Sequence, residues 1–379
     1  MARAANMITI EVVGNYEAFM SLESGWNKLV EKSGAGIPFL TFQWLNCWWQ
    51  SYGAGNQMLI VIAKDGGEIV GIAPLMITKV RRWGIALRAV TFMANYHTNR
   101  MDFIITGDKN VVISAMLDHI KKSYKGIDAY LLDFLVDGSE SDAAVTGILA
   151  GKNLRGAKAN SIISPFIKIN GNWENYVSSL SKKWKRKISD TGKRFARLEN
   201  GIVKYTDSEI DKAFGDLLAV SKTTWQYDNG TAIASTKQDT AMYYSLAKAM
   251  SEKNCLRLWI LKINELPVAF MYAIEYANKL FALKIGFNKE YAQESPGVFL
   301  SAHVIRECFN NKLDEFDWLG ENNDYKMKWT PLCRQHVQHR IYNNTLLGNA
   351  AYVTENMVRA GKEQLARWRP APAGEVSHA

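Results

Sequence analysis

One order of elements occurs twice along this chain, and that repeat limits the possible folds more than any single motif does. In the first half, apolar residues alternate as in a strand over 7–13 and then take helical spacing over 16–32, at Phe19, Leu22, Trp26, Leu29 and Val30. A second helix is predicted over 42–52, rich in Trp44, Trp48 and Trp49, which read as core residues or as an aromatic platform for a sugar or acyl group. Strands over 57–63 and 68–80 follow, joined at Asp65-Gly66-Gly67, a tight-turn signal because glycine enters left-handed backbone freely. A strand over 86–93, a helix over 111–124 and strands over 129–135 and 162–169 complete this half. The second half returns to the same order without sequence identity. It has helices over 209–225 and 237–253, strands over 256–263, 268–276 and 280–287, a helix over 298–310, a strand at Glu315 and a last strand over 335–342.

This pattern predicts an α/β fold of two tandem modules, each a mixed, mostly antiparallel sheet flanked by helices. The turn-rich step Asn170-Gly171-Asn172 sets their limits at 7–170 and 171–345. Residues 346–379 should add an amphipathic helix and, from Pro370, a disordered tail.

Composition narrows the class. At 379 residues the chain can build two cores, and 47% hydrophobic with 22% charged residues belongs to a globular protein. No run reaches the ~18 apolar residues of a membrane span, and residues 1–10 make a poor secretory signal, so a cytoplasmic location is expected. Cys47, Cys255, Cys308 and Cys333 are scattered without metal or redox spacing and are expected to be reduced thiols. His336 and His339 lie on one predicted strand, facing opposite ways, and no metal is expected.

Charge is local. Residues 182–197 hold eight cations and one acid, a net +7 of the chain's +9, which leaves only +2 elsewhere. That distribution argues against a DNA-coating surface. Leu180, Trp184, Ile188, Thr191, Phe195 and Leu198 form one helical stripe, so the cations occupy the other faces. The segment reads either as a solvated surface helix or as a wall attracting the phosphates of coenzyme A, an acyl carrier protein, a lipid phosphate or tRNA.

The chemistry concentrates between Tyr291 and Trp329. Ser295-Pro296-Gly297 follows a strand and opens a helix, where unpaired N–H groups and the dipole suit a phosphate; Ser295, Gly297 and Val298 are the candidate donor-binding residues. Asp317 and Glu321 follow the next strand, with Tyr325 and Lys326 close behind. Asp317, Tyr325 and Lys326 are the candidate catalytic group: a base, an acid and a cation are what acyl transfer requires. Asp317 also fits a structural ion pair. Glu321 is a candidate for the acceptor side, and Asn95-Tyr96-His97 and Asp102 of the first half follow a strand within reach of an interdomain cleft. His303 reads as an ordinary helix residue.

These motifs, with Glu265-Leu266-Pro267-Val268-Ala269 and Pro38-Phe39-Leu40-Thr41 leading to Trp44, resemble the acetyltransferase domain of CelD-like proteins of polysaccharide biosynthesis. More distantly the chain resembles the FemABX peptidyltransferases; both groups belong to the GNAT acyltransferase superfamily. The resemblance implies two tandem GNAT-like modules with a cleft where they meet, and it makes His97 and Asp102 candidates for the acceptor side there. It implies transfer of an acyl group, acetyl first among them, from an acyl-CoA co-substrate to an amine or hydroxyl of a sugar or envelope precursor. It also implies an oxyanion contact from the strand over 280–287. Of the superfamily's Q/R-x-x-G-x-G/A loop only Gly297 remains. Two other readings stay open: a Fem-like transferase using aminoacyl-tRNA, and a binding module that keeps the fold without the chemistry.

Overall fold

The computed structural model describes residues 8–152, 154–206 and 209–368. Its first-half strands are β1 (Thr9–Val13), β2 (Gln57–Asp65), β3 (Glu68–Arg82), β4 (Ile85–Phe92), β5 (Ile104–Ile105), β6 (Ala129–Val136) and β7 (Arg155–Lys168). Those of the second half are β8 (Asn200–Tyr205), β9 (Leu256–Ile263), β10 (Leu266–Tyr276), β11 (Lys279–Phe287), β12 (Glu315–Asp317) and β13 (Cys333–Tyr342).

Two-residue turns set the registers. Gly66-Gly67 and Trp83-Gly84 link β2–β3–β4, and Asn264-Glu265 and Ala277-Asn278 link β9–β10–β11; all eight residues have φ between 47° and 89°. Left-handed backbone at both central positions matches the natural twist of a hairpin. Residues with a Cβ pay for it, by about 1–2 kcal/mol each, and the pairing on either side offsets that cost.

The strands form one sheet in the order β1-β2-β3-β4-β6-β13-β7-β12-β11-β10-β9-β8, with β5 pairing β3 off this path. Read from either end, each lobe runs through five strands in sequence order. In each, the fourth and fifth run parallel for only three residue pairs, 89–91 against 129–131 and 279–281 against 315–317. The last strands are exchanged: β13 lies beside β6, and β7 lies beside β12. The sheet runs without interruption through the division expected near residue 170. The strand expected at the end of the second module is seated between two strands of the first half.

The α/β architecture, a large mixed sheet flanked by helices, is as the sequence led one to expect. On one face the Phe42–Tyr52 and Lys237–Glu252 helices pack on each other and join the two lobes. The other face of the second lobe carries the Pro296–Asn310 helix and, against it, the basic Lys182–Phe195 helix, whose Trp184, Thr191 and Phe195 are buried as the stripe predicted. Two expected helices are broken: 16–32 parts between Tyr16–Met20 and Glu23–Lys32, and 209–225 parts between Ile210–Ser221 and Trp225–Asp228. At the second break the Thr224 side chain caps a new helix by accepting from Tyr227 N. Among the described residues no helix is long and apolar enough to cross a membrane. The Leu346–Trp368 helix is present, and the tail from Pro370 lies outside the described residues.

Candidate active site

Beyond their three parallel pairs β11 and β12 separate, and a cleft of about 890 Å³ opens between them. Its walls are 282–287 of β11, the head of the Pro296–Asn310 helix, Trp318, the segment 323–326, and residues of 221–233. Past Phe281 no strand among the described residues covers the β12-facing edge of β11, so main-chain groups there are left to other partners. The Ile285 carbonyl takes one of them, accepting from Gln226 Nε2 at 3.1 Å.

At the helix head, Ser295 has φ 63°, and its carbonyl accepts from the amides of Val298 (3.0 Å) and Phe299 (3.2 Å). Pro296 has no N–H. The Gly297 N–H has no acceptor among the described residues. A Cβ at Gly297 would sit 3.3 Å from Phe287 Cδ1, so the glycine lets helix and strand approach. Lys187 of the basic helix donates to Ser295 Oγ at 2.6 Å. The Tyr325 hydroxyl lies 3.0 Å from the Gly297 carbonyl and 2.8 Å from Ser301 Oγ, which ties the segment 323–326 to the first turn. Burial pushes this phenol up to about 12, partly opposed by Ser301, so it stays protonated.

Two ammonium groups face the same cleft. Lys326 Nζ donates to the carbonyls of Leu319 (2.6 Å) and Glu321 (3.1 Å), which leaves one N–H uncommitted. A Cβ on Gly320 would crowd that nitrogen at 3.2 Å, and its φ of 58° also favours glycine. Burial lowers the Lys326 ammonium to about 8, against the attraction of Asp317 and Glu321 and with repulsion from Lys284. Lys284, on β11, donates to the Thr231 carbonyl at 3.2 Å; burial lowers it too, against Asp239.

Behind Lys284 a polar cluster centred on the buried His97 and Asp239 bridges the lobes. Asp239 accepts from Tyr52 OH (2.5 Å), His97 Nε2 (2.8 Å) and Tyr96 OH (3.3 Å), and His97 Nδ1 lies 3.2 Å from Tyr243 OH. Burial first, then Lys284, lowers His97 to about 4, although Asp239 pulls the other way. Burial works against the charge on Asp239, but hydrogen bonds from Tyr52 and His97 outweigh it and hold the carboxylate ionised. A neutral ring that donates at Nε2 and accepts at Nδ1 satisfies every partner.

The candidate catalytic group is divided by this geometry. Tyr325 and Lys326 line the cleft with Ser295, Gly297 and Val298. Asp317 does not: wholly buried, it pairs with Arg100 and with Arg334 (3.0 Å) and accepts from the Leu319 amide (2.9 Å). Burial opposes its charge, and Arg100 and Arg334 together keep its carboxyl below the usual range. Asp102 turns to the first lobe, accepting from the Phe103 amide at 2.7 Å with Lys109 at 3.7 Å. The Glu321 side chain is exposed. His97 reaches the cleft only through the cluster behind Lys284. Sequence reasoning passed over Lys284, Asp239, Arg100 and Arg334. Lys284 had a signal: a lone lysine in the apolar strand Phe281-Ala282-Leu283-Lys284-Ile285.

Residues 182–327 match the family model of the acetyltransferase (GNAT) domain, a span that takes in the basic helix, the cleft and both lysines. No curated protein matches the sequence. The fold of nearly the whole chain is shared with solved structures of low sequence identity. The crystal structure of FemX is 12% identical, with a TM-score of 0.60 over 90% of this chain and 100% of that one. A conserved protein of unknown function from Bacteroides thetaiotaomicron is 14% identical, TM-score 0.57, over 88% of this chain and 100% of that one. The C-terminal domain of a putative lysylphosphatidylglycerol synthetase from Agrobacterium fabrum is 9% identical, TM-score 0.52, over 88% of this chain and 96% of that one.

Proposed function

We propose that the cleft moves an acyl group from a pantetheine thioester, acetyl-CoA being the simplest, onto an amine or hydroxyl acceptor. One observation carries the reading: inside the GNAT-matching segment, two parallel strands part beside a helix head, and an ammonium with an unused N–H faces the gap. A pantetheine arm laid along the bare edge of β11 completes the sheet hydrogen bonds that β12 abandons. Its thioester carbonyl then lies within the compass of Lys326.

The acceptor's nitrogen or oxygen attacks that carbonyl, a C–N or C–O bond forms, and negative charge gathers on the carbonyl oxygen. The spare N–H of Lys326 stabilises that charge in a water-poor site, an effect worth about 10²–10³ in rate for one donor. The C–S bond then breaks, and the departing thiolate takes up the proton that the acceptor releases. In this reading Tyr325 fixes the helix head and Gly297 keeps the channel open. Ser295, Gly297 and Val298 border the phosphate end of the arm. Asp317 is a structural anchor rather than a base. His97 and Asp239 position Lys284 on the acceptor side, and Asp102 and Glu321 have no part in the chemistry. A sugar or envelope precursor as acceptor rests on the CelD-like resemblance.

Thermal shift with acetyl-CoA and its non-hydrolysable amide analogue, together with thiol release in the presence of amino- and hydroxy-sugar acceptors, tests the proposal. Ligand at 100 times its Kd stabilises the protein by about 2.7 kcal/mol. Thiol release should fall about 100-fold in Lys326→Met with little change in melting temperature. No shift with any pantetheine thioester would end the reading.

A further inference from the structure

We infer that the donor arrives on an acidic carrier protein, its phosphopantetheine serine seated at the Lys182–Phe195 helix, rather than as free coenzyme A. The inference rests on the proposed acyl transfer and concerns what holds the other end of the arm.

The first observation is a shortage of donors for a diphosphate. In the segment 289–299, which turns the corner from β11 into the helix, the amides of Ala292, Glu294, Ser295, Val298 and Phe299 bond to carbonyls of the segment itself, and that of Tyr291 bonds to the Asn288 carbonyl. The Glu290 amide bonds to Asn288 Oδ1, the Lys289 amide to the Thr223 carbonyl, and Pro296 has no N–H. Among the described residues that leaves the amides of Gln293 and Gly297. Two separated N–H groups suit one phosphodiester better than a diphosphate, whose charges need a run of donors.

The second observation is where the cations stand. The basic helix is fastened to the cleft mouth at two points, Lys187 to Ser295 Oγ and Arg194 to the Gln293 carbonyl, and Phe195 stacks on Phe299 with ring centroids 4.0 Å apart. Its polar side leaves Lys182, Lys183, Arg186 and Lys193 exposed, and Arg197 is exposed just beyond its end. Of these, among the described residues, Arg186 alone forms an ion pair, with Asp190 at 3.4 Å. Lys182 to Lys193 covers about 16 Å at 1.5 Å per residue, the footprint of one helix of a small partner. Outside this segment cations and acids nearly balance, at a net +2, so the chain's excess of positive charge is concentrated on this helix. A small acidic protein complements such a patch, and a nucleic-acid backbone calls for a longer one.

The test compares one arm on two holders. The host's own acyl carrier protein, bearing an acetyl amide analogue on its phosphopantetheine, and the same analogue as a coenzyme A derivative are titrated into the full chain. Both titrations are repeated with Lys182→Glu/Lys183→Glu/Lys193→Glu, three exposed positions outside the cleft. The carrier form should bind at least about tenfold tighter than the coenzyme form and weaken as salt rises. The triple reversal should cost about tenfold of that affinity and leave coenzyme binding unchanged. Equal or tighter coenzyme binding, with carrier affinity indifferent to the reversal, overturns the inference and leaves the acyl-transfer reading standing. So does a tRNA that binds at this helix where the carrier protein does not. If neither holder's arm binds, the proposed function falls and this inference with it.

Discussion

Asp317→Asn separates a structural anchor from a catalytic base. The wild-type carboxylate is fully buried, and three donors converge on it from Arg100, Arg334 and the Leu319 amide. In the variant Arg334 keeps Glu315 at 2.8 Å, whereas Arg100, also buried, is left with His336 Nε2 at 3.3 Å. One buried guanidinium without a counter-ion costs about 3–5 kcal/mol. With an unfolding entropy of roughly 0.8 kcal/mol/K for 379 residues, the melting temperature should drop by about 4–6 °C. The sign with pH follows from the depressed carboxyl: its contribution is present above the usual carboxylate range and is lost as pH falls through the folded value. The gap between wild type and variant should therefore shrink below about pH 4. The assay is a pair of thermal melts at neutral and acid pH, with thiol release measured well below both transitions. A variant that melts within about 1 °C of wild type yet has lost turnover would refute this reasoning and return Asp317 to the chemistry.

Lys326 should act as an ammonium, so with its pKa near 8 the rate should fall as pH rises through that value; Lys326→Arg should remove this alkaline limb, as a pH–rate profile would show. Gly297→Leu places a side chain where Cβ alone would come within 3.3 Å of Phe287, and should abolish the thermal shift given by acetyl-CoA. His97 and His336 are both lowered to about 4 from 6.5, chiefly by burial. Their neutral forms favour the fold, so stability is complete above about pH 6.5 and drains away as pH falls towards 4. Denaturant melts of His97→Phe across that window should show a shallower loss than the wild type, and an unchanged slope would count against the assignment.

Local periodicity was enough to read much of this protein. The two three-strand meanders were legible because alternation and turn residues act within a few positions: Gly66-Gly67 and Ala277-Asn278 close hairpins that could have been drawn from sequence alone. The buried stripe of the basic helix was equally legible, since Trp184, Thr191 and Phe195 follow helical spacing. β8 escaped notice because it is a short edge strand, exposed over most of its length. The Glu140–Gly151 helix was missed because its small residues give a weak pattern.

The sequence by itself determined most of the strands and helices, that two similar halves follow one another, and that the helix beginning at Pro296 follows the strand ending at Phe287. Only the tertiary structure decided that β13 and β7 exchange places, that Asp317 belongs to Arg100 and Arg334, and that Lys326 and Lys284 share one cleft. Propensity and periodicity act over a few residues. Arg100 and Asp317 are 217 positions apart, and Asp239 and His97 are 142 apart. A pairing at that range is chosen by which buried charges must be neutralised once the lobes close, and no local signal carries it.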